Sequence, residues 1–411
     1  MQLIDPFQGW VILGTGLGLV WLACYLWTRS LASGLSLTRE MRFGWSQVGD
    51  QLEERFTLRN TSIFPAPWVK VWDHSDMPGY RASRVTGINP SSSSSWRTQG
   101  VCSSRGLFKL GPTSLQSSDP FGIYSISIEN PATATLAVMP PVIPLPTIQI
   151  SPGRRIGEAN PRSGAPDQTV AAASVRPYSP GDSMRSIHWR TTARRDAPFI
   201  RIFDGTPAGD WWIILDLEQR IQTGQGFNST IEHGVILAAS LADRGLRNRR
   251  AVGLAVNAQD LVWLPPQEGS NRRWEVLRTL ALVHPGTRSL NELLSRTRPA
   301  LGKRSSLVLI TPNLDGDWIE ALLPLVWLGA APTVLLLDRV DPDDDFPTGE
   351  ARPLLQHLDE MGVRSYLITP DLLDRPEARP GQSGQWEWRV SPSGRAVAVR
   401  KPLDVPWKAL G

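Results

Sequence analysis

Cysteine is nearly absent from this chain, at two residues in 411. Cys24 sits inside an apolar run and Cys102 far downstream of it, so no internal disulfide is expected and no oxidising compartment is required. Histidine is almost as scarce, at five. The five are scattered singly, which leaves no local pair at metal-ligand spacing and no Ser/His or Cys/His signature of a nucleophile. Charge of one predominant sign is missing too: 43 Lys and Arg against 39 Asp and Glu leave a net +4 without a long basic tract, so electrostatics does not imply nucleic acid. The stretch before the first apolar run carries Asp5 and no Lys or Arg, unlike the basic leader of a secretory signal. The sequence nominates no catalytic constellation, cofactor, metal-ligand set or small-molecule substrate.

Tryptophan, by contrast, is plentiful at 17. Between Trp10 and Trp27, "WVILGTGLGLVWLACYLW" has no charge, and with Phe7 and Thr28 at its ends it predicts a transmembrane helix over 7–28 with aromatic residues at both ends. The Gly14-to-Gly18 stretch lies inside that run with no strand before it, which argues against a phosphate loop; Gly14 and Gly18 suit close helix approach instead. Arg29, Arg39 and Arg42 follow the helix and no basic residue precedes it, so the positive-inside rule places the large C-terminal body in the cytoplasm.

Residues 36–145 read as a small β-sandwich-like domain, because runs such as "ERFTLRN" and "WVKVWD" alternate in character between Pro, Gly, Asn and Ser. "NPSSSSSW" at 89–96 is a polar loop or irregular edge, and the stiff "PPVIPLP" at 140–146 marks the boundary. A connecting segment, 146–205, leads to an α/β domain over 206–372. There "WWIILDLE", "AVGLAVN", "SSLVLITP", "PTVLLLDR" and "RSYLITP" are apolar strands. "STIEHGVILAASLADRG", "NRRWEVLRTLALV", "DWIEALLPLVWLG" and "PLLQHLDEMG" have helical period. This alternation predicts a doubly wound, mostly parallel sheet. A β-hairpin over 380–408, turning at Ser393-Gly394, is expected to add an antiparallel edge.

Ligands of open parallel sheets bind beyond the carboxyl ends of the strands. The first such end reads Asp216-Leu217-Glu218-Gln219-Arg220. It resembles the position at which von Willebrand A-type domains carry Asp-x-Ser-x-Ser to hold a divalent cation through hard oxygens. Here Glu218 and Arg220 replace both serines, and Pro312 follows Thr311 where the resemblance places a metal-contacting Asp. A guanidinium has no acceptor, so the metal site is degenerate, and Asp216 is expected to pair with Arg220 or to cap the following turn. "DPDDDF" puts Asp341, Asp343 and Asp345 at calcium-loop offsets, but Phe346 and Arg352 stand where Gly and a bidentate Glu are needed, which predicts a solvated loop.

The densest cluster of unusual residues is 175–194, "VRPYSPGDSMRSIHWRTTAR". Pro180-Gly181 makes a tight turn, Asp182 suits a helix N-cap, and a short helix is predicted to follow with Met184, Ile187 and His188 on one side. Arg176, Arg185, Arg190, Arg194, Arg195 and Arg201 make the segment cationic. Two readings stand. In one it is a buried clamp, with Trp189 packed between domains and Asp182 or His188 satisfying backbone groups; in the other it is a docking site for an acidic partner surface, lipid phosphate or a nucleic-acid backbone.

Residues Arg176, Tyr178, Gly181, Asp182, Ile187, His188, Trp189, Ala193 and Arg194 together resemble the signature of the bacterial family known as domain of unknown function 58. "RGLFKLGPTSLQSSDPFGIY" at 105–124 is similar to a second segment of that family, Arg-Gly, Leu-Gly-Pro and Asp-Pro-Phe-Gly in order. The resemblance implies a membrane-anchored protein with a von Willebrand A-like domain, often encoded beside a MoxR-type AAA+ ATPase and without established catalysis. This chain departs from it in the substituted metal site and in having one N-terminal helix where many members have two.

The expectation is a non-enzymatic adaptor or chaperone partner, single-pass in the bacterial inner (plasma) membrane, working with a MoxR-type AAA+ ATPase or another protein. The alternative is an envelope-associated enzyme using Asp182 and His188 as an acid–base pair.

Overall fold

The computed structural model of the chain describes residues 8–42, 44–145, 148–152, 172–178, 187–195, 197–203, 210–301, 305–338, 348–370, 387–390, 396–400 and 408–409. Contacts divide it into two units. One comprises 1–143, 277–282 and 373–411; the other comprises 144–276 and 283–372.

Helix α1 (Gln8–Gly34) runs directly into strand β1 (Leu35–Met41). It is long and apolar enough to cross a membrane. It extends past the expected end at Thr28, because its last turns are held by protein. Cys24, Thr28, Leu31 and Gly34 are buried, Trp27 stacks on Phe64 with ring centroids 4.6 Å apart, and the Trp27 indole N–H donates to the Pro65 carbonyl at 3.0 Å. Gly34 is required at the junction, since a Cβ there would stand 2.7 Å from the Ser62 nitrogen.

Strands β2 (Trp45–Gln47), β3 (Gln51–Asn60), β4 (Ala66–Asp73), β5 (Arg84–Ile88), β6 (Ser92–Val101), β7 (Gly106–Leu110), β8 (Thr113–Ser118), β9 (Ser125–Asn130) and β10 (Ala134–Met139) follow in the same unit. They form sheets of order β1-β3-β6, β2-β10-β7 and β5-β4-β8-β9. Period-two alternation turns Leu35, Leu37 and Met41 of β1, and Leu52, Phe56 and Leu58 of β3, into a core shared with Leu31, Leu110 and Leu136. The same period carries Arg39 inward, where it is ion-paired with Glu54 and Asp73. Of the three arginines that flank the helix in sequence, therefore, only Arg29 is exposed, Arg42 being half-buried.

In the second unit β11 (Ala172–Pro177) and β12 (Phe199–Phe203) pair antiparallel on either side of α2 (Trp189–Arg195). Next come β13 (Trp211–Leu215), α3 (Thr230–Arg247), β14 (Val252–Val256), β15 (Val262–Gln267), α4 (Ser270–Leu282), α5 (Leu290–Thr297), β16 (Ser306–Thr311), α6 (Ile319–Trp327), β17 (Ala331–Leu337), α7 (Thr348–Glu360) and β18 (Arg364–Ile368). The sheet has the order β15-β14-β13-β16-β17-β18 and is parallel except for β15. Chain direction across the sheet reverses between β13 and β16. Every residue of β13, β14, β16 and β17 is buried, as the unbroken apolar runs require.

Three elements differ from expectation. The polar run at 89–96, expected as a loop or irregular edge, enters the regular strand β6 at Ser92 and pairs with β3 without a register shift, because its alternate residues face the sheet's two sides. The antiparallel edge is β15, not the C-terminal hairpin. Its Pro265-Pro266 pair disguises it as a loop, yet an edge strand tolerates proline because one side has no ladder partner. Among the described residues the hairpin strands β19 (Glu387–Val390) and β20 (Ala396–Arg400) pair with each other and not with the α/β sheet, and their turn at Ser393-Gly394 lies outside the described residues, while β21 (Lys408–Ala409) joins β1. Helix α5 is too short to register as a period, although Ser289 and Glu292 spell its capping box: the Ser289 side chain accepts from the Glu292 N–H.

Candidate functional site

Asp216, Asn257 and Thr311 end β13, β14 and β16 and meet where the strand order reverses; all three are buried. Asn257 Nδ2 donates to Asp216 Oδ1 at 2.7 Å and to the Arg288 carbonyl at 3.0 Å, and Thr311 Oγ1 donates to Asp216 Oδ2 at 2.7 Å. The Glu218 N–H donates to Asp216 Oδ1 at 3.2 Å. Of the two expected roles, Asp216 takes that of capping the turn after its strand, with Arg220 exposed. A loop closes over this end: Gly286 N–H donates to the Leu217 carbonyl at 3.0 Å and Gln219 N–H to the Gly286 carbonyl at 2.8 Å. Gly286 is confined to glycine, because a Cβ would lie 2.4 Å from Ala258 O.

Burial pushes the Asp216 carboxyl above the ordinary carboxylate range, against the hydrogen bonds from Thr311, Asn257 and the Glu218 N–H. Glu218 is raised as well, by burial first and then by the Asp216 charge.

The donor set does not fit the divalent cation that the von Willebrand A resemblance implies. Both Asp216 oxygens accept from protein donors, a carboxylate and a guanidinium replace the two serine hydroxyls, and Pro312 follows Thr311. Among the described residues no three His, Cys, Asp or Glu side chains are grouped to hold an ion. The arrangement is a polar latch tying three strand ends together. Asn257 and Thr311, the residues that engage Asp216, were not among the sequence candidates; the signal available was a polar residue directly ending each apolar run.

Of the signature residues, Gly181, Asp182 and Arg185 lie outside the described residues, as do Asp341, Asp343 and Asp345. Arg176 pairs with Ile200 in the β11–β12 ladder, and the Tyr178 N–H donates to the Pro198 carbonyl at 2.8 Å. Ile187 is buried, and the His188 N–H donates to the Phe199 carbonyl at 2.8 Å. The helix starts at Trp189, later than expected, because His188 is its cap. The His188 carbonyl accepts from the Thr191 and Thr192 N–H groups at 3.0 and 3.1 Å, and its Nδ1 accepts from the Thr191 N–H at 3.2 Å and lies 2.7 Å from Thr191 Oγ1. The Phe199 N–H donates to Thr192 Oγ1 at 3.0 Å. Trp189 is 69% exposed, so it is not the packed wedge of the clamp reading; the ties run through His188, Thr192 and Phe199 instead. Arg190, Arg194 and Arg195 are exposed beside it, with the Arg195 guanidinium over the Phe199 ring.

Fold and site together define a mostly parallel α/β sheet whose ligand crevice is closed by its own side chains, preceded by a β domain continuous with an apolar helix. Residues 174–346 match the family described as protein of unknown function DUF58, the family that the signature resembles. The chain is 27% identical over 168 residues to the uncharacterized protein YeaD of Bacillus subtilis, covering 41% of this chain and 40% of that one. It is 26% identical over 204 residues to the uncharacterized protein Mb1516 of Mycobacterium bovis, covering 48% and 64%. The chain thus spans less than two thirds of either relative's length. A solved structure of an aerotolerance-related membrane protein from Bacteroides fragilis aligns with a TM-score of 0.26 and 16% identity, over 47% of this chain and 81% of that one. Likeness at that level does not establish a shared fold.

Proposed function

We propose that the protein is a membrane-tethered, non-enzymatic adaptor, and that α2 is the handle by which a MoxR-type AAA+ ATPase engages it. The observation that carries this reading is the exposed Trp189 indole on a helix that also presents Arg190, Arg194 and Arg195. Tryptophan flanked by arginine is the composition of an interface hot spot. The latch at Asp216 supports the non-enzymatic part, since its carboxylate is already committed to Asn257 and Thr311. The strand order, with its single antiparallel edge, supports reading the sheet as a von Willebrand A-like domain whose ion position has taken a structural role. Helix α1, with Arg29 exposed near its C-terminal end, supports single-pass anchorage in the bacterial inner membrane with a cytoplasmic body.

Co-purification of a MoxR-type ATPase from detergent-solubilised membranes tests the handle. Trp189→Ser and Arg190→Glu/Arg194→Glu are expected to remove the ATPase while melting as the wild type does. Unchanged recovery counts against α2 as the contact, and substrate turnover by the purified chain counts against the non-enzymatic reading.

A further inference from the structure

Helix α1 and the β domain overlap along the axis of the helix. Residues 8–20 are all exposed and account for about 20 Å at about 1.5 Å per residue, whereas the hydrocarbon core of a bilayer is about 30 Å thick. Upstream the sequence cannot supply the difference, because Asp5 and Pro6 precede Phe7. Downstream it can, since 21–28 carries no charge before Arg29. Yet that is the stretch on which the β domain is docked. The Tyr124 ring lies 6.1 Å from Trp21 and 5.9 Å from Tyr25, and Trp27 stacks on Phe64.

Two loops make these contacts, 61–65 between β3 and β4, and 119–124 between β8 and β9. Asn130, at the far end of the β8–β9 hairpin, donates to the Leu37 carbonyl at 2.9 Å, beyond the C-terminus of the helix. Tyr124, at the near end, meets Trp21. The hairpin therefore climbs the helix towards its N-terminus, and its tip at 121–123 lies beyond the last cross-strand pair, Ser118 with Ser125. At that tip Phe121 is 73% and Ile123 48% exposed, and Ile63 on the other loop is 76% exposed. The tip is held in shape by Asp119, a buried carboxylate that accepts from the Phe121 and Tyr124 N–H groups at 2.9 and 2.6 Å. Its charge is held by these backbone donors and by the Cys24 side chain of α1. Arg29 and Arg59, both exposed, lie beside the contact region in α1 and β3, where long basic side chains reach lipid phosphates.

We infer that loops 61–65 and 119–124 are seated in the bilayer interface alongside α1, so that lipid covers Ile63, Phe121 and Ile123 and the β domain is held at the membrane surface by two loops as well as by the helix. Trp21, Tyr25, Trp27 and Tyr124 then form the aromatic belt of that interface. The inference rests on reading α1 as membrane-spanning.

The test uses the full chain in phosphatidylcholine–phosphatidylglycerol vesicles. Cys24 and Cys102 are buried, so single cysteines introduced as Leu17→Cys, Ile63→Cys, Phe121→Cys and Gln99→Cys direct a bimane label to each site in turn. Gln99 pairs with Glu53, seven positions along β6 from the Ser92–Asn60 pair that adjoins loop 61–65, and serves as the reference far from the membrane. Nitroxide lipids labelled at shallow and deep positions quench the label by depth. Leu17 is expected to lose most of its fluorescence to the deep quencher, Ile63 and Phe121 to the shallow one, and Gln99 to neither. Quenching at Leu17 with Ile63 and Phe121 indistinguishable from Gln99 overturns the inference and leaves the spanning helix standing. Absence of quenching at Leu17, Ile63 and Phe121 alike overturns both.

Discussion

Arg39 and Glu54 meet in the core of the β domain, the guanidinium Nε and Nη2 donating to the two carboxylate oxygens at 2.7 and 2.6 Å. The register sets Arg39 opposite Phe56 and Met41 opposite Glu54 on neighbouring strands, which makes the two charged residues diagonal neighbours on the core face. Asp73 accepts a third bond at 2.8 Å, the Tyr80 hydroxyl donates to Glu54, and the guanidinium lies over the Phe56 ring. Burial opposes the arginine's charge, but Glu54 and Asp73 hold its pKa above the ordinary value.

Because removing the guanidinium leaves Glu54 and Asp73 buried without a counter-charge, Arg39→Met is expected to cost about 3 kcal/mol or more. Urea unfolding followed by tryptophan fluorescence measures it. The triple change Arg39→Met/Glu54→Leu/Asp73→Asn should recover much of that loss, since it removes all three charges together; equal losses in the single and triple variants would show that shape, not charge, matters here.

Asp216 and Glu218 set a pH dependence in the α/β sheet. Their folded pKa values are raised, so the native state binds protons more tightly than the unfolded chain. That contribution is complete below the ordinary carboxylate range and is lost as pH rises through the folded values. Asp216→Asn should flatten the fall in urea midpoint as pH rises above the ordinary carboxylate range. A slope as steep as the wild type's assigns it to other groups.

The close approach of Gly34 to Ser62 makes Gly34→Ala an overpacking change, expected to cost about 1–3 kcal/mol. Limited proteolysis at the junction of α1 and β1 should accelerate. A variant as resistant as the wild type would mean that the backbone yields there.

Loss of the His188 ring removes an acceptor from the Thr191 N–H, so His188→Ala should destabilise by about 1 kcal/mol, and His188→Asn, another capping residue, should recover part of it. Unaltered chemical stability in His188→Ala would exclude the capping role.

Trp189 and Trp212 form a matched pair of opposites. Trp189→Ala, at an exposed site, should stay within about 0.5 kcal/mol of wild type. Trp212→Ala, in the core with its ring 4.8 Å from that of Trp263, should cost about 3–5 kcal/mol. A large stability loss in Trp189→Ala would restore the clamp reading of the signature.

Much of the architecture is legible in the chain because it depends on near neighbours. An uncharged run long enough to cross a bilayer specifies α1, and unbroken apolar runs specify β13, β14, β16 and β17. The period of two in "LSLTREM" and "QLEERFTLRN" even places Arg39 and Glu54 on the inward face, though not beside each other. What hid β15 was its proline pair, and what hid α5 was its length, since both rules need a window longer than the element. Asp216 was visible as a strand end; its partners were not, because Asn257 and Thr311 are unremarkable in their own surroundings.

The sequence by itself determined where the chain is apolar, how its strands and longer helices alternate, and which signature it carries, all of them properties fixed within a few residues of one another. Only the tertiary structure decided that Asp216 would be bound by Thr311, 95 positions away, that Arg39 would be neutralised inside the β domain, and that Trp189 would stand in solvent. A buried polar group must find a partner wherever the fold brings one, and an exposed ring needs none; both outcomes are set by packing between distant segments, which no local pattern encodes.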